Sequence, residues 1–479
     1  MRTERHILTN TAVLGVGEGV GQVAGFAFVV LCARAYGPSV FGWYSMAAAM
    51  GALAAVFVRL GTHSRLLRDL AADPAPTKKH LGAVLPYELA FAALGWLALV
   101  GTFAAFTDDR VALLVVATVC AFHIGSSPIN LLLIPFYARQ IMWPPALVAA
   151  GQRSLIVLAA APLILLGARP ELVFAAFPAA TLLTGLCVFV ALSRFLGGGL
   201  LRVAPWSEMR EMYGAALPFF GIAVLNVLYI RLALLLIGAV GGESAAGIYA
   251  AADRLGLLIS VGQGLFMTAL QPAIAQLANQ DRERALEVAN RCMRLLLLIA
   301  VPLAGLIAIF QHEIVAAVFG GEFEESAPVL AVIAGALIVK GASGVWSAQA
   351  IAIGLQASML RIRAAAIAAF TLLAIGVIPA AGPLGLAVCL LLADLGSAVA
   401  LRGLLARHGF AARVGSAGWK PAVAVAAAVL VYVVLVDVPL ALRAIVVAAA
   451  LLIVLVASGA VRPHDLKFLR AVLREPPPA

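Results

Sequence analysis

The sequence predicts an all-α integral membrane protein of about fourteen transmembrane helices, arranged as two six-helix pseudo-symmetric lobes plus two C-terminal helices. Three observations predict it. The 479 residues are 63% apolar and only 12% charged, whereas soluble domains carry roughly a quarter charged residues. Apolar runs of about twenty residues, enough to cross the hydrocarbon core as a helix, follow one another along the chain. The runs are continuous and lack the period-two alternation of a membrane barrel.

The first two runs, near 9–36 and 40–62, flank Gly37-Pro38-Ser39-Val40-Phe41-Gly42-Trp43-Tyr44-Ser45. That hinge is too short to span anything, so it forms the tip of a helical hairpin. Arg2 and Arg5 precede the first run and no small-residue cleavage site follows it, which predicts a retained span. Further spans are expected near 81–106, 111–137, 145–167 and 170–195, then 214–239 and 245–270. The hinge returns between the last two as Gly242-Glu243-Ser244-Ala245-Ala246-Gly247-Ile248-Tyr249-Ala250, with Gly, Ser, Gly and Tyr at identical spacing. Two halves on one plan are the architecture of many secondary transporters. Runs near 291–319, 327–352, 361–380, 383–406, 420–437 and 442–460 complete the series. The connection from Leu196 to Tyr213, with Gly197, Gly198, Gly199 and Pro205-Trp206, divides the chain. Residues 1–204 then form the N-lobe, 205–410 the C-lobe, and 411–479 the last two helices with a tail ending in Pro476-Pro477-Pro478, expected to be disordered. No loop is long enough to fold as a soluble domain.

Orientation follows from the basic residues. One set of loops holds Arg65, Arg68, Lys78 and Lys79; Arg139; Arg194, Arg202 and Arg210; Arg282, Arg284, Arg291 and Arg294; Arg361 and Arg363; Arg402, Arg407, Arg413 and Lys420; and Arg462, Lys467, Arg470 and Arg474. The opposite loops hold Arg110, Arg169 and Arg443, and one of them is acidic through Glu313, Glu322, Glu324 and Glu325. This bias places both termini in the cytoplasm and requires an even number of spans. The net charge of +10 is therefore topological and does not mark a nucleic-acid surface. Cys32, Cys120, Cys187, Cys292 and Cys389 lie inside apolar runs without a CxxC pair, which predicts small buried hydrophobes and neither disulfides nor a metal site.

Charges at membrane depth are costly and mark wet interiors. Arg231 lies two-thirds of the way out along the seventh expected span, and Asp253 and Arg254 lie about 12 Å inward from the outer end of the eighth. Lys340 lies near the middle of the tenth expected span, flanked by Gly341, Ser343 and Gly344. Arg231, Arg254 and Lys340 are the candidates for a cationic, substrate-binding cavity, with Asp253 as a neighbour that neutralises or couples an ion. In the first half, Glu18 sits among Gly15, Gly17, Gly19 and Gly21, either as a proton or cation site or as a packing carboxyl held neutral by burial. Those glycines suit close helix approach or bending. Asp394 in the twelfth span is a similar candidate. Arg34 and Arg59 are further cavity candidates, although for them and for Arg153 snorkelling to the nearest interface is the plainer reading. A cationic cavity suits an anion, and a phosphate fits Arg best. None of the five lysines follows a glycine, so the phosphate-binding loop of direct ATP drive is missing, and no cofactor is implied. Ser, His and Asp occur without a nucleophile elbow, and His123 is a lone helix histidine, so an enzyme has no constellation behind it.

With these residues in hand, the chain resembles the polysaccharide flippases of the multidrug/oligosaccharidyl-lipid/polysaccharide exporter superfamily. The resemblance is carried by Ala33-Arg34-Ala35-Tyr36-Gly37-Pro38 through Phe41-Gly42-Trp43-Tyr44-Ser45, and by Arg59-Leu60-Gly61 with Arg65. It continues in Gly247-Ile248-Tyr249-Ala250-Ala251-Ala252-Asp253-Arg254, Ala350-Ile351-Ala352-Ile353-Gly354 and Gly382-Pro383-Leu384-Gly385-Leu386-Ala387. It implies two six-helix lobes around a V-shaped cavity, alternating access, and an undecaprenyl-diphosphate-linked oligosaccharide as cargo in a bacterial plasma membrane. Arg231, Arg254 and Lys340 would then meet diphosphate or acidic sugars, and a polysaccharide polymerase or glycosyltransferases would be partners. Two helices beyond twelve also occur in flippases of lipid-linked peptidoglycan precursors, so that role stays open, though the resemblance is closer to the exopolysaccharide and O-antigen branch. A cation-coupled drug exporter would use Glu18 and Asp394 to couple protons. A non-transporting scaffold of a glycan-assembly complex is the reading from a different class.

Overall fold

The computed structural model describes residues 2–198 and 204–459, and every regular element among them is helical. Arg202, Gly199, the basic residues Arg462, Lys467, Arg470 and Arg474, and the terminal proline run lie outside the described residues. The chain forms two compact units, Met1–Gly247 and Ile248–Ala479.

The first unit holds α1 (Arg2–Arg59), α2 (Thr62–Ala72), α3 (Thr77–Ala104), α4 (Arg110–Ala138), α5 (Trp143–Leu165), α6 (Pro170–Phe174), α7 (Ala176–Phe195) and the first part of α8 (Trp206–Gln280). The second holds the rest of α8, α9 (Arg282–Ile309), α10 (Gln311–Phe319), α11 (Ser326–Ala352), α12 (Gln356–Arg407), α13 (Ser416–Val434) and α14 (Leu440–Ala457). The protein is a multi-pass, all-α membrane protein: ten helices among the described residues are long and apolar enough to cross a bilayer.

Three of those apolar stretches, Thr9–Arg59, Phe219–Gly264 and Gln356–Arg407, run 46 to 52 residues. A straight helix of that length would measure roughly 70–80 Å, far beyond a bilayer about 30 Å thick. Each is broken at a glycine in backbone space closed to L side chains: Gly37 (φ 72°, ψ −175°), Gly242 (φ 83°, ψ −179°) and Gly382 (φ 53°, ψ −141°). Phe28 and Tyr44, on either side of Gly37, lie ring to ring at 5.5 Å, so α1 folds back on itself. Gly37 and Gly242 share one conformation to within about ten degrees, and they are the two glycines that open the repeated hinge.

The expected spans need correcting at their margins. The basic stretch after the second span is no loop but the short amphipathic helix α2, which buries Thr62, Leu66 and Leu70. These leucines join Leu81 and Leu85 of α3, Leu131 to Ile134 of α4, and Met209 and Met212 of α8 in one core. The helix of the ninth span begins at Arg282, where the Asp281 side chain accepts from the Arg284 N–H at 3.0 Å, and it ends at Ile309, with α10 following. In the second unit α13 packs on α9 and α14 on α13, and Ala424, Ala428, Val447, Leu451 and Leu455 form one buried cluster with Leu298 and Leu306 at its edge. Of the five cysteines four are buried, while Cys187 is exposed on α7, contrary to expectation.

Candidate functional site

The two units carry separate charge clusters. In the first, Arg59 ends α1 and is followed by Leu60 (φ 46°) and Gly61 (φ 80°), a left-handed pair that turns the chain sharply into α2. A positive φ is costly for Leu, and such strain is held only where the surroundings impose it. Here they do: a Cβ on Gly61 would meet the Ala216 carbonyl of α8, and Arg65 donates to the carbonyl of Met212 at 2.6 Å. Arg68 stacks over the Phe219 ring at 5.7 Å.

After the turn, Arg59 and His63 enter one hydrogen-bonded network around a buried carboxylate. Glu88, about 16 Å along α3 from Thr77, is fully buried. His63 Nε2 lies 2.9 and 3.1 Å from its two oxygens. The Ser127 hydroxyl of α4 donates to Glu88 Oε1 at 2.5 Å and accepts from Arg59 Nε at 3.1 Å. Four residues from four helices thus form a continuous chain, Arg59–Ser127–Glu88–His63. Neither Glu88 nor His63 was singled out from sequence. The signal was present, since Glu88 is a carboxyl in the middle of an apolar run, the same mark that picked out Glu18 and Asp394.

Glu18 itself is exposed on α1, and its charge reaches the Tyr137 hydroxyl of α4. Of its neighbouring glycines, Gly17 and Gly21 take the backbone of α5 at Ala146 and Ala149, while Gly15 and Gly19 face open space. Arg34 is exposed, Arg231 is half-buried, and both belong to the first unit. The stem of Arg153 lies against Gly21 and Gly25, and its Nη1 is buried without a hydrogen-bond partner.

In the second unit the Lys340 ammonium lies 3.8 Å from Asp394 Oδ2, joining α11 to α12. The Lys340 side chain is 43% exposed and that of Asp394 7%. Arg254, beside Asp253, is half-buried. The structure therefore pairs Lys340 with Asp394, and it places Arg59 in a different, wholly N-terminal network.

Residues 31–328 match the family of polysaccharide biosynthesis proteins. No curated protein matches the sequence significantly. Among solved structures, a lipid II flippase MurJ in an inward closed conformation superimposes with a TM-score of 0.67, at 14% identity over 97% of this chain and 100% of that one. An inward-facing multidrug resistance MATE family transporter of the MOP superfamily gives a TM-score of 0.56, at 17% identity over 84% and 94%. A MOP superfamily transporter from Pyrococcus furiosus, described by the reverse polarity of its binding pocket, gives 0.52, at 16% identity over 85% and 95%. At such identities the likeness establishes the fold.

Proposed function

The chain belongs to the family of polysaccharide biosynthesis proteins, and from that premise we propose that it is an alternating-access flippase for undecaprenyl-diphosphate-linked oligosaccharide. It moves the lipid-linked glycan from the cytoplasmic to the outer leaflet of a bacterial plasma membrane, with both termini in the cytoplasm. Arg34, Arg59 and Arg231 of the first unit and Arg254 and Lys340 of the second are the cations that meet phosphate or acidic sugar. Glu18, Asp253 and Asp394 are the candidates for ion coupling. A polymerase or glycosyltransferases of surface-glycan assembly are the natural partners. The observation that carries this reading is the family match over the helices that hold Arg34, Arg59, Arg231 and Arg254. It is supported by membrane-depth side chains that favour cations, which suits a diphosphate and disfavours a cationic drug.

A second reading has its own support. The likeness to the lipid II flippase takes in 97% of the chain, against 84% for the multidrug transporter, so α13 and α14 have counterparts there. That observation favours a lipid-linked peptidoglycan precursor as cargo. Deletion in the source bacterium separates the two. Lost surface polysaccharide with lipid-linked repeat units trapped on the cytoplasmic face, restored by the wild type and not by Arg231→Ala or Arg254→Ala, is the expected outcome. Lysis with accumulated peptidoglycan precursor would replace the first reading by the second.

A further inference from the structure

We propose that His63 and Glu88 form a proton-binding site in the first unit, and that a proton taken up there frees Arg59 to hold an anion. The inference rests on the reading of Arg59 as a phosphate contact for its second half only.

The carboxylate cannot sit bare in this setting: an unpaired buried charge is far costlier than a paired one. Charged and titratable groups face it from three elements. His63 approaches from α2, and Arg59 from α1 through Ser127. The Tyr213 phenol of α8 feels the Glu88 charge, and its hydroxyl is buried without a hydrogen-bond partner. Because His63 Nε2 faces both oxygens, that nitrogen carries the hydrogen when Glu88 is ionised. The His63 side chain is 16% exposed and that of Glu88 is not exposed at all, so the imidazole is the only one of the pair with exposed surface. A proton entering at Nδ1 lets the Nε2 hydrogen pass to a Glu88 oxygen. One N–H bond forms, one N–H bond breaks, one O–H bond forms, and the pair gains one positive charge.

The consequence reaches Arg59 through a single hydroxyl. While Glu88 is ionised, Ser127 donates to it and Arg59 donates to Ser127, so the guanidinium serves an internal partner. Once Glu88 is neutral the attraction is gone, and the Arg59 charge is available to a phosphate. By linkage the effect is reciprocal: an anion at Arg59 draws a proton onto the pair. The left-handed Leu60–Gly61 turn separates Arg59 on α1 from His63 on α2, the two ends of the hydrogen-bonded chain through Ser127 and Glu88.

The test uses the full chain in lipid nanodiscs and the dimethyl diester of diphosphate, whose two phosphates hold one charge each throughout the neutral range. Calorimetry in buffers of different ionisation heat counts the protons taken up on binding. The wild type is expected to take up about one proton per diester, with affinity rising up to about tenfold per unit fall in pH. Glu88→Gln, which keeps an acceptor for Ser127, is expected to bind the diester without proton uptake and with flat pH dependence. Uptake in Glu88→Gln and His63→Gln equal to the wild type overturns the proposal. If the wild type binds no diester, the phosphate reading of Arg59 fails, and infrared spectroscopy of the ligand-free protein decides the proton site. A carboxylic-acid C=O band that appears on acidification and is missing from Glu88→Gln upholds the site; no such band overturns it.

Discussion

The Glu88 network of the first unit is enclosed, and the Lys340–Asp394 pair of the second is open. Glu88 is met on both oxygens at hydrogen-bond distance and has no exposed surface. Lys340 and Asp394 stand 3.8 Å apart, beyond a good hydrogen bond, with the ammonium 43% exposed. The difference teaches that two charge clusters at membrane depth need not do the same work. A closed network has fixed partners and can change only by gaining or losing a proton. An open ion pair keeps donor capacity for a visitor, because an ammonium has three hydrogens and this one spends little on its neighbour.

The contrast can be broken at its strongest point first. Glu88→Ala removes the acceptor for both His63 and Ser127 inside a closed site, and is expected to destabilise the protein by about 3–5 kcal/mol. Thermal unfolding in detergent measures it, and a loss below about 1 kcal/mol would mean the network is not closed. The next test asks whether closure, and not membership of the first unit, sets the magnitude. Glu313 of α10 accepts from Arg443 at 2.9 Å and from Tyr432 at 2.7 Å, and Arg443 lies over the Tyr432 ring at 4.4 Å. This half-buried cluster ties α13 and α14 to the second unit. Glu313→Ala is expected to cost about 1–3 kcal/mol, and limited proteolysis after Val434 should become faster. The smallest stability effect belongs to the open pair. Lys340→Met is expected to shift stability by about 1 kcal/mol or less, yet to lower transport about tenfold, the worth of one charged hydrogen bond to a phosphate. Unchanged transport would remove Lys340 from the substrate path.

The fold was legible because hydropathy and glycine placement speak locally. Apolar runs show where the chain crosses, and Gly37, Gly242 and Gly382 show where it turns, since each needs a backbone that only glycine takes up freely. Helix α2 was not legible, because Arg65, Arg68 and Asp69 read as a solvated loop while the buried stripe of Leu66 and Leu70 is only two residues deep. The site was legible in part. Arg59 and Asp394 stood out as charges in apolar runs, but their partners lie at positions 88, 127 and 340, and no spacing in the sequence links residues that only tertiary packing brings together. Glu88 carries the same mark as Glu18 and Asp394, a lone carboxyl within an apolar run, and was legible on that ground alone.

The repeated hinges also touch each other. A methyl group on Gly42 would collide with the Glu243 carbonyl, and one on Gly247 with the Pro38 carbonyl. What opposes each glycine is therefore peptide, which no mutation can shrink. Gly42→Ala and Gly247→Ala should thus resist suppression by any second change nearby, and a genetic screen for revertants should return only the original glycine.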